Sequence, residues 1–370
     1  MKIEKHTIIK RVAVTAGCAV LLLASVACSN AGSAERNTAP VDGGNKSAVV
    51  DESRKEAGHE IKVEHYDMLE DIIGVGWLSD ERILTETIQV TPRGEGEEPI
   101  VSQSMAIRNL QTEEETSWQA GTGVVWLSPD GKHAFVAVSE GDKYKLAGKI
   151  VNIETGESVA VELEPGMIVG NWADNQKVIV ATQSGKIVQI DTQGKKTPMP
   201  FKDDAEVILD VAQRGDAVYY LDGEGNLKSF SGDGKLVLPL ASKVVEFEVS
   251  ADGKHIAVVT NASESERTLK LIRPDGAEIG TTVAKGTLIE RVAWSPDGTK
   301  LAFAVYSEAD LGMKGVYVMD TAAGKVVPVF DFLNIQYPFH WSPSSTQLMV
   351  TVGNGDSSGE GQSTYLITFS

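Results

Sequence analysis

The chain has 370 residues, of which 42% are hydrophobic and 23% charged, and its formal net charge at pH 7 is −18. An acidic surface repels nucleic acid and anionic lipid headgroups, so nucleic-acid binding is excluded as a function. Cys18 and Cys28 are the only cysteines. A folded domain that follows them therefore contains no disulfide and depends on its hydrophobic core.

The first 27 residues have the order of a bacterial export signal. Four basic side chains precede an uncharged run over residues 12–27, which is the charged-then-apolar sequence of a signal peptide. That run is 16 residues long, whereas a helix that spans a membrane needs roughly 20. The N-terminus therefore predicts export of the protein from the cytoplasm.

The uncharged run ends in Ala24-Ser25-Val26-Ala27-Cys28. Small residues before a cysteine resemble the lipobox of bacterial lipoproteins, although that family prefers Leu where Ser25 stands here. The resemblance implies that Cys28 becomes the first mature residue and carries lipid, palmitate included. Cleavage nearby by an ordinary signal peptidase and an uncleaved anchor helix are the alternatives. All of them place the rest of the chain outside the cytoplasm, and lipidation anchors it to the outer face of a membrane of the cell envelope.

Residues 28–59 are rich in Ala, Gly, Ser, Asn and charged side chains and have almost no large apolar ones. Such a segment cannot bury enough apolar surface to become ordered. We therefore divide the chain into a signal peptide (residues 1–27), a disordered tether (28–59) and a folded domain (60–370). Removal of residues 1–27, which hold four basic side chains and one acidic one, changes the net charge from −18 to −21.

One phrase, best seen as Trp294-Ser295-Pro296-Asp297-Gly298, recurs along the folded domain. Its seven copies, some of them degenerate, begin at residues 77, 125, 172, 211, 249, 294 and 341. Each joins two β-rich runs, and Ser-Pro-Asp-Gly between apolar runs is typical of a tight turn because Pro presets φ and Gly accepts a positive φ. We expect the tryptophans at 77, 126, 172, 294 and 341 to pack between repeats.

The copies lie 38 to 48 residues apart, which is the length of a four-stranded propeller blade. A second turn, such as residues 320–324, follows at a matching place in most repeats. The sequence therefore predicts an all-β fold, a seven-bladed β-propeller of four-stranded antiparallel blades. The last repeat contains only three strands, and we expect residues 60–67 to supply the fourth and close the ring.

The repeat phrase, extended to Leu301-Ala302-Phe303, resembles that of the TolB-like propeller family, which is similar in turn to WD-repeat propellers. The resemblance covers essentially the whole folded domain. It implies the fold and only loosely a role, because such repeats occur in binding modules, assembly factors and propellers attached to peptidases. The α/β domain that precedes the propeller in TolB has no counterpart between residues 28 and 60.

A four-stranded meander places the tight turns on one face of the disc and the longer connections on the other. Function tends to reside on loops held by a rigid scaffold. From the long connections we predict binding residues near the mouth of the central channel, namely Lys143, Tyr144, Glu308, Asp310, Asp331, Asn334 and Tyr337. The simpler interpretation is that they are ordinary solvated loop residues.

No catalytic group, cofactor or metal site is predicted, since the five histidines of the mature chain show no ligand spacing. The favoured function is a noncatalytic binding or scaffold protein for a protein, peptide or cell-wall glycan. The alternatives are an extracellular propeller enzyme, a lyase or lactonase with its site at the channel mouth, and a subunit that packs on an envelope complex.

Overall fold

The computed structural model describes most of the chain from residue 61 onward. The described residues are 61–91, 93, 100–118, 123–139, 146–164, 168–182, 185–200, 207–234, 237–309, 312–331, 334–335, 337–353 and 361–370. The predicted signal peptide, the lipidation site Cys28 and the tether lie outside them. Within this part there are only strands and connections, and no helix is long and apolar enough to cross a membrane.

The strands form seven sheets, which we number as blades along the chain. Blade 1 contains β2 (Ile73–Ser79), β3 (Arg82–Thr91), β4 (Ile100–Asn109) and β5 (Glu115–Trp118), and blade 2 contains β6 (Val124–Leu127), β7 (His133–Ser139), β8 (Leu146–Asn152) and β9 (Ser158–Glu162). Blade 3 contains β10 (Ile168–Trp172), β11 (Lys177–Thr182), β12 (Ile187–Asp191) and β13 (Lys196–Pro198), and blade 4 contains β14 (Ile208–Arg214), β15 (Ala217–Asp222), β16 (Leu227–Ser231) and β17 (Val237–Ala241). Blade 5 contains β18 (Val244–Val249), β19 (Ile256–Asn261), β20 (Arg267–Ile272) and β21 (Glu278–Gly286), and blade 6 contains β22 (Leu288–Trp294), β23 (Lys300–Tyr306), β24 (Lys314–Asp320) and β25 (Val326–Phe330). Blade 7 contains β26 (His340–Trp341), β27 (Gln347–Gly353), β28 (Gln362–Phe369) and the N-terminal strand β1 (Val63–Glu70).

Every blade is an antiparallel four-stranded sheet in chain order, except that β1 lies beside β28 in blade 7. The first strands of successive blades contact one another around the ring, from β2 through β26 and back to β2. These strands are therefore innermost and surround the central channel. The prediction of a seven-bladed propeller is confirmed.

The strand β1 pairs antiparallel with β28, from Val63 opposite Phe369 to Glu70 opposite Ser363. It is the outer strand of blade 7, whose other three strands come from the C-terminal end of the chain. The segment expected in this place was 60–67; the strand begins at Val63 and continues three residues further, to Glu70.

The turn phrase forms a tight turn in which the serine is buried and the aspartate is not. Ser295 is fully buried, and its hydroxyl donates to Asp297 Oδ1 at 2.6 Å while accepting the Lys300 backbone N–H at 2.9 Å. Gly298 has a φ of 70°, which a glycine accepts without strain. The same serine-to-aspartate bond recurs at 2.7 Å in blades 2 and 5, so the phrase encodes one local structure.

Tryptophans join the inner strands of neighbouring blades. The indole N–H of Trp294 donates to the carbonyl of Glu248 in the preceding blade at 3.0 Å, and that of Trp341 donates to Ala293 at 3.1 Å. Trp77 and Trp172 make the corresponding bonds to His340 and Trp126, at 3.0 and 2.7 Å. A buried indole thus satisfies its own N–H and crosses the seam between two blades.

Trp126 does not occupy the equivalent position. In the β6–β7 pairing it lies opposite Phe135, whereas its neighbour Leu127 lies opposite Ala134, the register that Trp294 has with Leu301 in blade 6. Its ring stacks on Phe135 at 5.0 Å and packs toward blade 3. Trp126 therefore packs between blades, as expected of the five tryptophans, but on the opposite side of its blade, and Leu127 takes the position that faces the preceding blade.

The seam between blades 7 and 1, where the ring closes, is held together by polar groups. Among the described residues, its buried apolar cluster consists of Trp77, Ile83, Met349 and Leu366, with the partly buried Leu69 and Leu110 packed against it. Beside it the Gly74 backbone N–H contacts the hydroxyl oxygens of Thr364 at 2.8 Å and Thr351 at 3.2 Å. The Thr364 hydroxyl donates in turn to the Ile72 carbonyl at 2.7 Å. A Cβ at Gly74 would meet Met349 Sδ at 2.2 Å, so glycine permits this close approach.

Candidate functional site

One face of the disc, which we call the loop face, carries the connections between the second and third strands of each blade and the links between blades. The predicted division into a tight-turn face and a loop face follows from the antiparallel blades. The loop face is less uniform than expected, because blades 3 and 4 have tight hairpins there, with Gly185 and Gly225 at positive φ. Blade 5 has the longer connection from Asn261 to Arg267.

Three of the seven predicted binding residues, Lys143, Tyr144 and Asp310, lie outside the described residues. The other four are on the loop face. Glu308 and Asp331 are exposed. Asn334 is also exposed, and its side-chain amide is 3.4 Å from the Gly353 carbonyl, so it ties the link before β26 to the end of β27.

Tyr337 is half-buried in the same link. Asp331, Asn334 and Tyr337 thus share the connection between blades 6 and 7, whereas Glu308 belongs to the β23–β24 loop, where its backbone N–H contacts the Thr287 hydroxyl at 3.1 Å. Their role in binding stays a prediction.

A groove of about 540 Å³ opens on the loop face between blades 4 and 5. Its lining comes from three segments, namely the β15–β16 hairpin, the start of β18 and the β19–β20 loop, through Glu224, Gly225, Lys243, Val244, Asn261, Ala262, Ser263 and Glu264. The lining is polar, with two carboxylates and one ammonium group. It is suited to a hydrophilic ligand rather than to an apolar one.

The groove walls are fixed to one another by backbone hydrogen bonds. Val244 donates to the Gly225 carbonyl at 2.8 Å, and Asn261 donates to the Lys243 carbonyl at 2.9 Å. Lys243 itself adopts the left-handed region at a φ of 57°, which is uncommon for a non-glycine residue. The short hairpin of blade 4 beside the longer loop of blade 5 leaves the opening between them.

The β15–β16 hairpin that forms one wall is closed by its own side chains. Asp222 Oδ1 accepts the backbone N–H groups of Asn226 at 2.8 Å and Glu224 at 3.0 Å, and Asp222 Oδ2 is 3.1 Å from Lys228 Nζ. Although burial opposes it, hydrogen bonds from Asn226, Lys228 and Glu224 lower the pKa of Asp222. This buried aspartate therefore shapes the hairpin.

A cluster of carboxylates lies on the inner strands next to the groove. Asp210 is on β14, and Glu246 and Glu248 are on β18, only two and four residues beyond the groove residue Val244. At about 3.3 Å per residue the first of these is about 7 Å further along the strand. All three are on innermost strands of the ring and are half-buried.

Burial raises the pKa of Asp210 to about 8, and the charge of Glu248 adds to the effect. Burial also raises the pKa of Glu246 to about 7, against a hydrogen bond of 2.8 Å from the Val292 backbone N–H. The pKa of Glu248 is likewise raised to about 7 by burial, although Arg214 opposes this, with its Nη2 4.0 Å from Glu248 Oε1. Near neutral pH these groups can both donate and accept protons.

The neighbouring inner strand β22 adds Glu290 and Arg291, which lie at a β-bulge between Glu290 and Ala293. Arg291 has a φ of 59°, a left-handed conformation that is costly for a long side chain. Glu290 raises the pKa of Glu246 and Arg291 lowers it, so both act on the cluster electrostatically. On β26, burial lowers the pKa of His340 to about 4, so this imidazole is neutral at neutral pH.

The sequence interpretation missed this cluster. A signal was present, because Asp210 and Glu246 stand at the same repeat position, three residues before Gln213 and Val249, which take the place of the inner tryptophan in blades 4 and 5. The approach of these carboxylates to one another across blades becomes visible only in the ring.

His133 and His255, by contrast, are structural parts of the repeat. Each follows the Asp-Gly turn, and each backbone N–H donates to the turn serine, at 2.9 and 3.0 Å. Their rings lie 6.2 and 6.1 Å from Trp172 and Trp294 of the next blade. Across the described residues, no three His, Cys, Asp or Glu side chains are grouped so that they could hold a metal ion.

No protein-family model matches the chain, and no curated protein matches its sequence. Among solved structures, an oligogalacturonate lyase in complex with manganese is similar, with a TM-score of 0.56, 14% identity and coverage of 85% of this chain and 99% of that one. An uncharacterised protein from Listeria monocytogenes EGD-e has a TM-score of 0.52 and 13% identity over 79% of this chain and 93% of its own.

TolB from Acinetobacter baumannii has a TM-score of 0.46 and 14% identity, over 76% of this chain and 79% of its own. At these identities the similarity shows the fold alone.

Proposed function

We propose that the protein is a lipid-anchored, extracytoplasmic propeller that binds a protein, peptide or cell-wall glycan on its loop face. The groove between blades 4 and 5 is the observation that carries the proposal. It is polar and open, its walls are fixed by backbone hydrogen bonds, and it leads toward the carboxylate cluster of the channel. A rigid site of this kind binds a hydrophilic partner without first having to be ordered, which reduces the cost of association.

The charged side chains of the groove and the channel narrow the class of ligand that the protein can bind. The groove carries Glu224 and Glu264 against Lys243, and the channel adds Asp210, Glu246 and Glu248. Hydroxyl-rich and amine-bearing ligands satisfy such a lining, because carboxylates accept hydrogen bonds from both. Polyanionic ligands are disfavoured by the net charge of −18.

Photo-crosslinking in intact cells tests this assignment. A photoreactive amino acid replaces Ser263 in the groove, and in a matched control it replaces Ala323, an exposed residue of the β24–β25 turn on the opposite face. We expect a discrete adduct from position 263 and none from position 323. Adducts of equal yield from both positions, or none from position 263, would contradict the groove as the binding site.

The anchor is tested separately. We expect radiolabelled palmitate to be incorporated into the wild-type chain and Cys28→Ser to abolish that incorporation and to release the propeller from the membrane fraction. Stable anchoring to a membrane needs more than one acyl chain. Because the proposed acyl chains are all attached at Cys28, loss of this cysteine removes the anchor altogether. Retention of both the wild type and Cys28→Ser in the membrane, with palmitate incorporated into neither, would instead favour an uncleaved anchor helix.

The carboxylate cluster favours one second candidate, an extracellular enzyme such as a lyase or lactonase. Carboxyl groups with pKa values of about 7 to 8, set close to Arg214 and Arg291, are typical of sites that move protons. The similar oligogalacturonate lyase contains manganese. Among the described residues of this chain, no three His, Cys, Asp or Glu side chains are grouped for such an ion.

Activity assays separate the two candidates. Purified protein is incubated with oligogalacturonate and with a panel of lactones, and unsaturated or hydrolysed products are measured. The enzyme candidate requires turnover that Asp210→Asn or Glu248→Gln abolishes while the fold is retained. Turnover that survives both substitutions would locate any activity elsewhere.

A further inference from the structure

Blade 1 contains a hairpin that is longer than the sheet to which it belongs. The strands β3 and β4 pair along their full length, from Arg82 opposite Asn109 to Thr91 opposite Ile100. The pairing of β2 with β3 extends only to Ile73 opposite Glu86, and that of β5 with β4 only to Trp118 opposite Met105. Among the described residues, the segments 87–91 and 100–104 therefore pair only with each other.

We call these two segments the ribbon. Because it lies at the connection between the second and third strands of a blade, it projects from the loop face. Five residues at about 3.3 Å each extend it about 16 Å beyond the sheet. Val90 and Ile100 are 37% and 46% exposed, so the ribbon stands in solvent.

Both long edges of the ribbon present backbone N–H and C=O groups outward. In an antiparallel strand these groups point alternately toward the partner strand and away from it, so each strand leaves an unpaired row on its outer side. Such a row is a template for a further strand. Natural proteins blunt exposed edges with charged residues, prolines or very short strands.

The outer strand of every blade in this protein is blunted in one of these ways. The residues are Glu64, Asp67 and Glu70 in β1, Glu115 in β5, Glu162 in β9, Lys196 and Pro198 in β13, Pro239 in β17, Glu278 and Lys285 in β21, and Pro328 in β25. None of the three devices lies within the ribbon, although Pro92 and Pro99 stand directly beside its two segments in the sequence. Its two segments read Thr-Ile-Gln-Val-Thr and Ile-Val-Ser-Gln-Ser, without charge and without proline, in a chain of which 23% is charged.

We propose that the ribbon is a docking edge to which an extended segment of a partner polypeptide adds as a β-strand. Main-chain hydrogen bonds supply the affinity in this mode, and alternate side chains supply the selectivity. The inference rests on the proposed binding function, to which it adds a class of partner, and it does not require the groove.

The occupant is a different polypeptide, uncharged or basic, rather than a second copy of this chain. Each copy carries a net charge of −18, and a net charge far from zero keeps a protein monomeric by repulsion. A neutral or basic segment meets no such barrier. The uncharged ribbon allows it to approach about 16 Å away from the acidic disc.

A peptide titration of the full-length chain tests the proposal. The probe is the fluorescein-labelled peptide Lys-Thr-Val-Thr-Val-Thr-Val-Lys, and binding is followed by fluorescence anisotropy. Its counterpart, N-methylated at alternate residues, keeps the side chains but cannot form the new ladder. We expect the first peptide to bind and the second to bind at least about tenfold more weakly, a difference of about 1.4 kcal/mol.

Matched variants localise the binding. Val90→Lys places a charge on the ribbon, and Val159→Lys makes the same change on the outer strand β9, where Val159 is 38% exposed against 37% for Val90. We expect Val90→Lys to weaken peptide binding about tenfold, because a lysine on an edge strand opposes strand addition, and Val159→Lys to leave it unchanged.

Several results would overturn the inference. They are absence of peptide binding, equal binding of the N-methylated peptide, or equal loss in both valine variants. Self-association of the wild type that Val90→Lys abolishes, measured by analytical ultracentrifugation, would make a second copy the occupant and would also overturn it. An adduct at position 263 without peptide binding would overturn the ribbon alone and leave the proposed function standing.

Discussion

The inner strands of two pairs of blades contact their neighbours through different side chains. One pair is blades 6 and 7, and the other is blades 4 and 5. In blades 6 and 7, Trp294 and Trp341 bury their rings and donate to the preceding inner strand. In blades 4 and 5 the same positions hold Gln213 and Val249. Arg214 and the carboxylates Asp210, Glu246 and Glu248 lie around them, and the groove opens above them.

The difference indicates where packing gives way to function. Sites that depart from the local rules of a fold are expected to be functional or strained. The inner tryptophan is the strongest regular feature of this repeat, and it is missing from the two successive blades that carry the buried acids. The first test is therefore whether substitutions in blades 4 and 5 and in blades 6 and 7 change the free energy of unfolding by the different amounts that their side chains predict.

The largest effect is expected at a seam with a tryptophan. Trp294 is 8% exposed, and Trp294→Ala should lower the free energy of unfolding by about 4 kcal/mol, as for other buried aromatic residues. Val249→Ala, at the equivalent position of blade 5, should cost only about 2 kcal/mol because two methyl groups are lost. Urea denaturation followed by circular dichroism measures both values.

A conservative variant separates the hydrogen bond from the packing at this seam. Trp294→Phe keeps most of the ring but removes the N–H that donates to the Glu248 carbonyl at 3.0 Å. We expect a loss of about 1 to 2 kcal/mol, since the carbonyl is left without its partner. If Trp294→Ala lowers the free energy of unfolding no more than Val249→Ala does, the seams of blades 5 and 6 contribute equally to stability. The proposed difference between the two pairs of blades is then wrong.

The second effect concerns pH and belongs to blades 4 and 5. Burial raises the pKa of Asp210 to about 8 and the pKa values of Glu246 and Glu248 to about 7, from 3.8 and 4.5. Between about pH 4 and pH 8 the folded protein therefore binds more protons than the unfolded chain, and its stability falls as the pH rises. We expect the stability to fall by several kcal/mol between pH 5 and pH 9, most steeply below pH 7, where all three groups take part.

The control is the double variant Asp210→Asn with Glu248→Gln. It should show a flatter dependence of stability on pH in this window and greater stability than the wild type at pH 9, because two buried charges are gone. Asp252 affects stability in a different pH range. Burial alone would raise its pKa, but hydrogen bonds from Lys254 and Ser250 outweigh burial and lower the pKa to about 2. Its contribution is lost only as the pH falls below about 4. A double variant with the wild-type pH profile would contradict the assignment.

The repeat made most of the fold predictable, since the Ser-Pro-Asp-Gly phrase fixes a hairpin through contacts within six residues. The spacing of the copies then gives the number of blades. The approach of Asp210 to Glu246 and Glu248 could not be predicted in this way, because it arises across a seam and depends on how adjacent inner strands converge. The groove is missed for a similar reason, since it results from a short hairpin in blade 4 beside a longer loop in blade 5.

Trp126 shows the limit of pattern matching within one repeat. Its copy of the phrase reads Trp-Leu-Ser-Pro-Asp-Gly, so the tryptophan precedes the turn serine by two residues rather than one. Side chains alternate between the faces of a strand, and an offset of one residue reverses the face. Leu127 therefore takes the inner position, and the Trp126 ring packs toward blade 3. Trp77 also stands two residues before a serine, but a register shift between Trp77 and Ser79 keeps it on the face that Trp294 has.

The smallest of the expected effects lies at the seam between blades 7 and 1, which has few apolar contacts and a buried polar network. Thr364 is fully buried, and its hydroxyl accepts the Gly74 N–H while donating to the Ile72 carbonyl. Thr364→Val keeps the shape of the side chain but leaves the Ile72 carbonyl, the Thr351 hydroxyl and the Gly74 N–H without this hydroxyl in a buried seam, and we expect a loss of about 2 kcal/mol. Thr364→Ser keeps the hydroxyl and loses one methyl group, so it should cost only about 1 kcal/mol. If the valine variant proves as stable as the serine variant in urea denaturation, the seam is held by its apolar contacts. This seam then differs from the others in the size of its apolar cluster rather than in the chemistry of its contacts.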